Sequence, residues 1–139
     1  METAIEMDVD KTIKDFVALL STIKPGDYNK IPFEGSWTPG QVVQHVLLSI
    51  TAFTDLIHGP TKETERDPGA AIGKFYEIFL DFSIKLQSPD FILPPATNYI
   101  NTEQAKVLEE KRARLVEAGE TMDLSKTCTL FPMPASGFI

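Results

Sequence analysis

His45 and His58 are the only imidazoles in this chain of 139 residues, and Cys128 is its only thiol. An imidazole changes charge near neutral pH and ligates transition metals, so each histidine is a candidate base or ligand. A thiol becomes a nucleophile only where its surroundings favour the thiolate. His45 is the stronger candidate because of what precedes it, since Thr38-Pro39-Gly40-Gln41 reads as a complete helix start. Thr38 caps the helix, and Pro39 takes the first helical position, where its missing N–H costs nothing. Gln41 closes a capping box, and Trp37 is placed to staple onto Val42. His45 follows one and a half turns later, so its direction is set by a firmly started helix.

The remaining candidates are weaker. His58 reads as a cation at the C-terminal end of the same helix, just before Gly59. It lies about 220° around the helix from His45, so one straight helix cannot turn both rings toward one ion. Cys128, between Thr127 and Thr129 with no CxxC, reads as a small buried side chain. Ser36 and Ser49 lack the strand-to-helix elbow of a serine hydrolase. A P-loop and a GxGxxG are both absent, so nucleotide chemistry has no support. Asp55 and Glu77 carry carboxylates, but their spacing singles out neither. Two readings of His45 stay open. One is a helix-edge imidazole whose ring bonds to a nearby carbonyl or to water. The other is a metal ligand, although a tight catalytic zinc site needs three protein ligands and this chain offers one suitable imidazole.

The run Trp37-Thr38-Pro39-Gly40-Gln41-Val42-Val43-Gln44-His45-Val46 resembles the second-helix signature of the DinB-like superfamily. Members include YfiT-like metal-dependent hydrolases and thiol S-transferases. The resemblance implies an all-α, up-and-down four-helix bundle with a long crossover, formed by residues 1–139 as a single domain. It also implies that His45 is one of three ligands to a divalent ion (Zn, Ni or Fe). The other two ligands in such proteins come as H-x-x-x-H on the last helix, and no such pair occurs here. The ion is therefore expected in an intact protein with further histidines, and this chain alone is expected to bind none. The implied function is a metal-dependent enzyme of thiol-transferase or hydrolase type. The alternative is a non-catalytic helical protein that binds a small apolar ligand or itself. A homodimer fits either reading, and a small-molecule substrate fits the enzyme.

Around the candidate site, periodicity predicts the elements. Val9, Ile13, Phe16, Val17 and Leu20 recur at three- and four-residue steps and predict a helix from about Met7 to Ile23. The second helix is expected from Pro39 to His58, with His45 at the edge of its apolar stripe, facing a neighbouring helix. Ile72, Phe75, Tyr76, Phe79 and Phe82 predict a third from about Ala70 to Phe82, with the aromatic group as core. Phe82, Ile84 and Leu86 alternate with polar residues, so residues 83–87 fit a strand equally well. Ser88-Pro89 and Pro94-Pro95 forbid a continuous helix, which makes residues 83–100 a crossover. Asn101, boxed with Gln104, is expected to cap a last helix that stops at Gly119. Ala105, Leu108, Leu115 and Val116 form its apolar face, and Glu110–Arg114 is its expected ion pair.

Composition narrows the function. Thirteen Lys and Arg against twenty Asp and Glu give a net charge of −7, which argues against nucleic acid and acidic membranes as partners. No apolar run approaches the ~18 residues of a membrane span. The acidic N-terminus does not read as a secretory leader, so none is expected. A single cysteine suits a reducing, cytoplasmic setting. The ending Phe131-Pro132-Met133-Pro134-Ala135-Ser136-Gly137-Phe138-Ile139 is apolar and rich in turn residues. In the resembled proteins such a turn leads into the final helix, so one expectation is that this helix is missing through truncation. The other is a tail whose Phe138 and Ile139 dock on the body.

Overall fold

The computed structural model describes residues 4–67 and 69–132. Among them the helical periods become four α-helices: α1 (Ala4–Thr22), α2 (Pro39–His58), α3 (Ile72–Phe79) and α4 (Asn101–Thr121). Two residue pairs, β1 (Thr61–Lys62) and β2 (Thr127–Cys128), form a minimal antiparallel ladder, and Asp90–Ile92 makes one 3-10 turn. The chain is all-α, as expected. It falls into two compact units, one of Met1–Ala52 with Pro89–Met122 and one of Phe53–Ser88 with Asp123–Ile139.

In the first unit the predicted stripes meet. Ile13 and Leu20 of α1, Val43 and Leu47 of α2 and Leu108 of α4 are buried together, with Val9, Phe16, Val17, Val46, Ile50 and Leu115 packed around them. Each fully buried leucine contributes about 1.5–3 kcal/mol. α1 and α4 run antiparallel, because Glu6 lies against Gly119 while Arg112 Nη1 donates to Asp10 Oδ1 at 2.5 Å.

Three expectations for α4 fail here. Gly119 does not stop the helix, which continues to Thr121. A Cβ at Gly119 would sit 2.5 Å from Glu6 Cγ, so the glycine is there for close helix approach. Asn101 is not the cap, since the cap position is Ile100 and no side chain bonds there. Gln104 is drawn away from any capping box because it is buried and bonded across the unit. The ion pairs are made by Arg112, to Glu109 at 2.7 Å and to Asp10, rather than by Glu110 and Arg114. Arg112 faces α1, whereas Arg114 points to solvent.

The second unit holds the other corrections. α3 covers Ile72–Phe79 rather than residues 70–82. Asp81 Oδ1 accepts from the Ser83 backbone N–H at 2.9 Å and from Ser83 Oγ at 2.5 Å. That turn competes with another helical turn, and residues 83–87 end as neither helix nor strand. The aromatic group is not core: α3 buries no residue, Tyr76 is 61% exposed and Phe82 is 86% exposed. Phe75 and Phe79 stack on each other at 5.9 Å between ring centroids. Leu56 is fully buried. The β1–β2 pair, unforeseen from sequence, is extended by the Thr129 N–H donating to Pro60 O at 2.9 Å. Cys128 is buried on β2, as expected. The chain ending from Met133 lies outside the described residues.

Candidate functional site

The helix start before His45 forms as the residues dictate. The Gln41 N–H donates to Thr38 Oγ1 at 3.1 Å, and the Thr38 N–H donates to Gln41 Oε1 at 3.0 Å. This reciprocal pair satisfies two N–H groups that a bare helix start would orphan. The connector before it is anchored as well. The Gly40 N–H donates to Tyr28 O at 2.9 Å, and a Cβ on Gly40 would meet Tyr99 Cβ at 2.9 Å. Only glycine lets the first turn of α2 lie so close to the residues leading into α4.

One imidazole stands on this base. His45 is half-buried, and its Nδ1 lies 2.8 Å from the Ile92 carbonyl oxygen, at the end of the 3-10 turn. A carbonyl only accepts, so Nδ1 carries the proton and Nε2 keeps the lone pair of the neutral ring. The neighbour expected at the stripe's edge is thus crossover backbone rather than a helix. Trp37 packs against the same ring, with centroids 5.1 Å apart and planes 49° apart. The carbonyl bond and the indole contact restrain the imidazole, and Nε2 has no hydrogen-bond partner among the described residues.

His58 makes a local bond, Nδ1 to Thr54 O at 2.8 Å, on its own helix. Burial pushes the Cys128 thiol up from its ordinary value, which keeps it protonated and poorly nucleophilic. Asp55 and Glu77 join no group of three potential ligands among the described residues. Among the described residues, no three His, Cys, Asp or Glu side chains are placed to hold a metal ion. The carbonyl bond is the one the helix-edge reading expects, and it is equally compatible with a ligand's part, because metal-bound imidazoles characteristically donate their other N–H to a carbonyl or carboxylate. The described residues do not complete a centre.

Gln104 is the residue that sequence reading misplaced. It is 5% exposed. Its Nε2 donates to Gly40 O at 3.1 Å and to Gln44 Oε1 at 3.2 Å, while its Oε1 accepts from the Tyr28 hydroxyl. Every hydrogen-bonding position of the amide is engaged save one lone pair. Its spacing of four from Leu108 was the available signal, since it puts Gln104 on the buried face of α4. The Tyr28 phenol, 2% exposed, is pushed by burial from 10.0 up to about 12. Beside this network, α2 and α4 border a hollow of about 500 Å³ with Leu47, Leu48, Tyr99, Ile100 and Val107 in its walls.

A family model of the DinB superfamily matches residues 8–130. The chain belongs to the DinB superfamily. The DinB match covers most of the chain, including the Trp37–Val46 run that carries the signature. No curated protein and no solved structure matches it. No described helix is long and apolar enough to cross a membrane.

Proposed function

We propose that this DinB chain is the body of a divalent-metal-dependent enzyme, with His45 Nε2 as one ligand. The observation supporting this reading is the Nδ1–Ile92 carbonyl bond, which a purely structural histidine would also make and which leaves Nε2 unprotonated in the neutral ring. The remaining ligands are supplied from outside the described residues. A bound Zn, Ni or Fe ion acidifies a coordinated thiol or water, the chemistry of a thiol transferase or hydrolase. This chain's own part is to hold the ring: the capping box sets the helix, Ile92 sets the tautomer, and Trp37 limits rotation.

The test is metal content. Protein made from the complete reading frame should carry close to one divalent ion per chain, and His45→Ala should lose most of it. These 139 residues alone should hold far less than one. No stoichiometric metal in the complete product, or unchanged content in His45→Ala, would end the proposal.

A second reading has its own support: a non-catalytic protein that binds a small apolar ligand or itself. The hollow between α2 and α4 lies within the usual size range of ligand sites, roughly 300–1,000 Å³. The uncovered aromatic face of α3 suits a homodimer. Metal-free protein whose size in light scattering rises with concentration would favour it; an inert metal-free monomer would remove it.

A further inference from the structure

The second unit contains a hollow of about 260 Å³ that the His45 reading does not use. Phe53 and Ile57 from α2 and Leu124 after α4 give it apolar walls, and Thr61, Arg66, Asp123 and Lys126 bring polar groups to it. What matters is which of these groups is already engaged. Lys126 is paired with Glu63, and Thr64 Oγ1 donates to Ser125 O at 2.5 Å. Asp123 Oδ1 accepts from the Ser125 N–H at 3.1 Å and from Ser125 Oγ at 2.5 Å. Those two bonds hold the Asp123 carboxyl below its ordinary value, side-chain bond first, so it is an anion at neutral pH.

Three groups keep unspent capacity. The Arg66 guanidinium and the Thr61 side-chain hydroxyl have no hydrogen-bond or ion-pair partner among the described residues, and Asp123 Oδ2 has no hydrogen-bond donor. Charges at the hollow balance, with Arg66 and Lys126 against Asp123 and Glu63. A simple anion or a simple cation therefore gains little from the local field. A ligand carrying both charges gains from each end.

We propose that this hollow binds a small zwitterion with an apolar body, namely an α-amino acid of about leucine's size. Its carboxylate is taken by Arg66 and Thr61, its ammonium by Asp123, and its side chain by Phe53, Ile57 and Leu124. Guanidinium suits the first task because it meets a carboxylate with two parallel N–H donors. The volume falls below the usual range for drug-sized ligands, which matches a ligand of few atoms.

The experiment is an amide NMR titration of the labelled 139-residue chain with leucine, isocaproate (no amine) and isoamylamine (no carboxylate). Leucine should give saturable shifts around Thr61 and Ser125, with a dissociation constant near the millimolar range. The two truncated ligands should bind at least about tenfold more weakly, as should leucine to Arg66→Gln and Asp123→Asn. Asn keeps the oxygen that bonds Ser125, so Asp123→Asn preserves the turn. Thr61→Val gives a third variant on the exposed rim should either of the others unfold. Absence of saturable leucine shifts up to about 50 mM overturns the proposal. Isocaproate binding as tightly as leucine overturns it, and so do folded variants that bind leucine like the parent. The hollow includes neither His45 nor its partners, so amino-acid binding and metal binding fail separately.

Discussion

Replacing Gly119 with alanine should destabilise this protein, against the ordinary effect of that change in a helix. Gly119 lies inside α4, where alanine is normally favoured by about 0.5–1 kcal/mol. Here the new Cβ would sit 2.5 Å from Glu6 Cγ, 2.8 Å from Glu6 Oε1 and 3.1 Å from Glu6 Cδ. Real Cβ atoms essentially never approach another heavy atom within 3.0 Å, so the Glu6 side chain, itself 4% exposed, would have to shift. Overpacking of this kind costs about 1–3 kcal/mol. Set against the helical gain, the net loss centres on about 1 kcal/mol within a range of about 0–2.5 kcal/mol, so about 3–5 °C in melting temperature. A double-mutant cycle isolates the cause. With Glu6→Ala already in place the overlap is gone, and the same Gly119→Ala change should stabilise by about 0.5–1 kcal/mol. Urea unfolding of the four proteins gives both numbers. Stabilisation by Gly119→Ala in both backgrounds would refute the α1–α4 register.

Two further perturbations test the base of the site. Thr38→Ala removes one half of the capping box and should cost about 0.5–2 kcal/mol in urea unfolding, whereas Thr38→Ser should cost far less. Tyr28 tests the buried network by pH. Its folded phenol titrates at about 12 and an unfolded one near 10.0, so the stabilisation is whole below pH 10 and fades as pH rises toward 12. The loss amounts to about 2–3 kcal/mol across that window. Tyr28→Phe should lack this component and should be less stable at pH 7 by about 1–3 kcal/mol, because Gln104 Oε1 loses its buried donor. Equal alkaline slopes for parent and variant would remove Tyr28 from the account.

What could be read from sequence was local. The start of α2 is written in five consecutive residues whose bonds close on one another, and the helix appears at its expected bounds, Pro39–His58. The stripe of α1 was legible for a similar reason, since its period states which face is buried. Features that depend on distant residues were not. Gly119 carries the symbol of a helix stop, and only the position of Glu6, more than a hundred residues earlier, makes it a packing glycine. Gln104 fitted a local capping rule but answers to Tyr28 and Gly40 across the unit. Apolar spacing marked the aromatic residues of α3 correctly as one helical face, but period alone does not say whether a face is covered. At the candidate site the sequence identified His45 and its rigid base. It allowed a bond to a nearby carbonyl but did not say which, because backbone acceptors in a crossover leave no residue-type signal.

The most direct test is the protonation of the His45 ring itself. Long-range proton–nitrogen NMR of the complete gene product distinguishes Nδ1 from Nε2. A proton is expected on Nδ1 in the metal-free protein, where it is bonded to Ile92. On adding zinc, only the Nε2 resonance should move to the metal-bound range. A ring protonated on Nε2, or an Nε2 resonance indifferent to zinc, would contradict the assignment of His45 as a metal ligand.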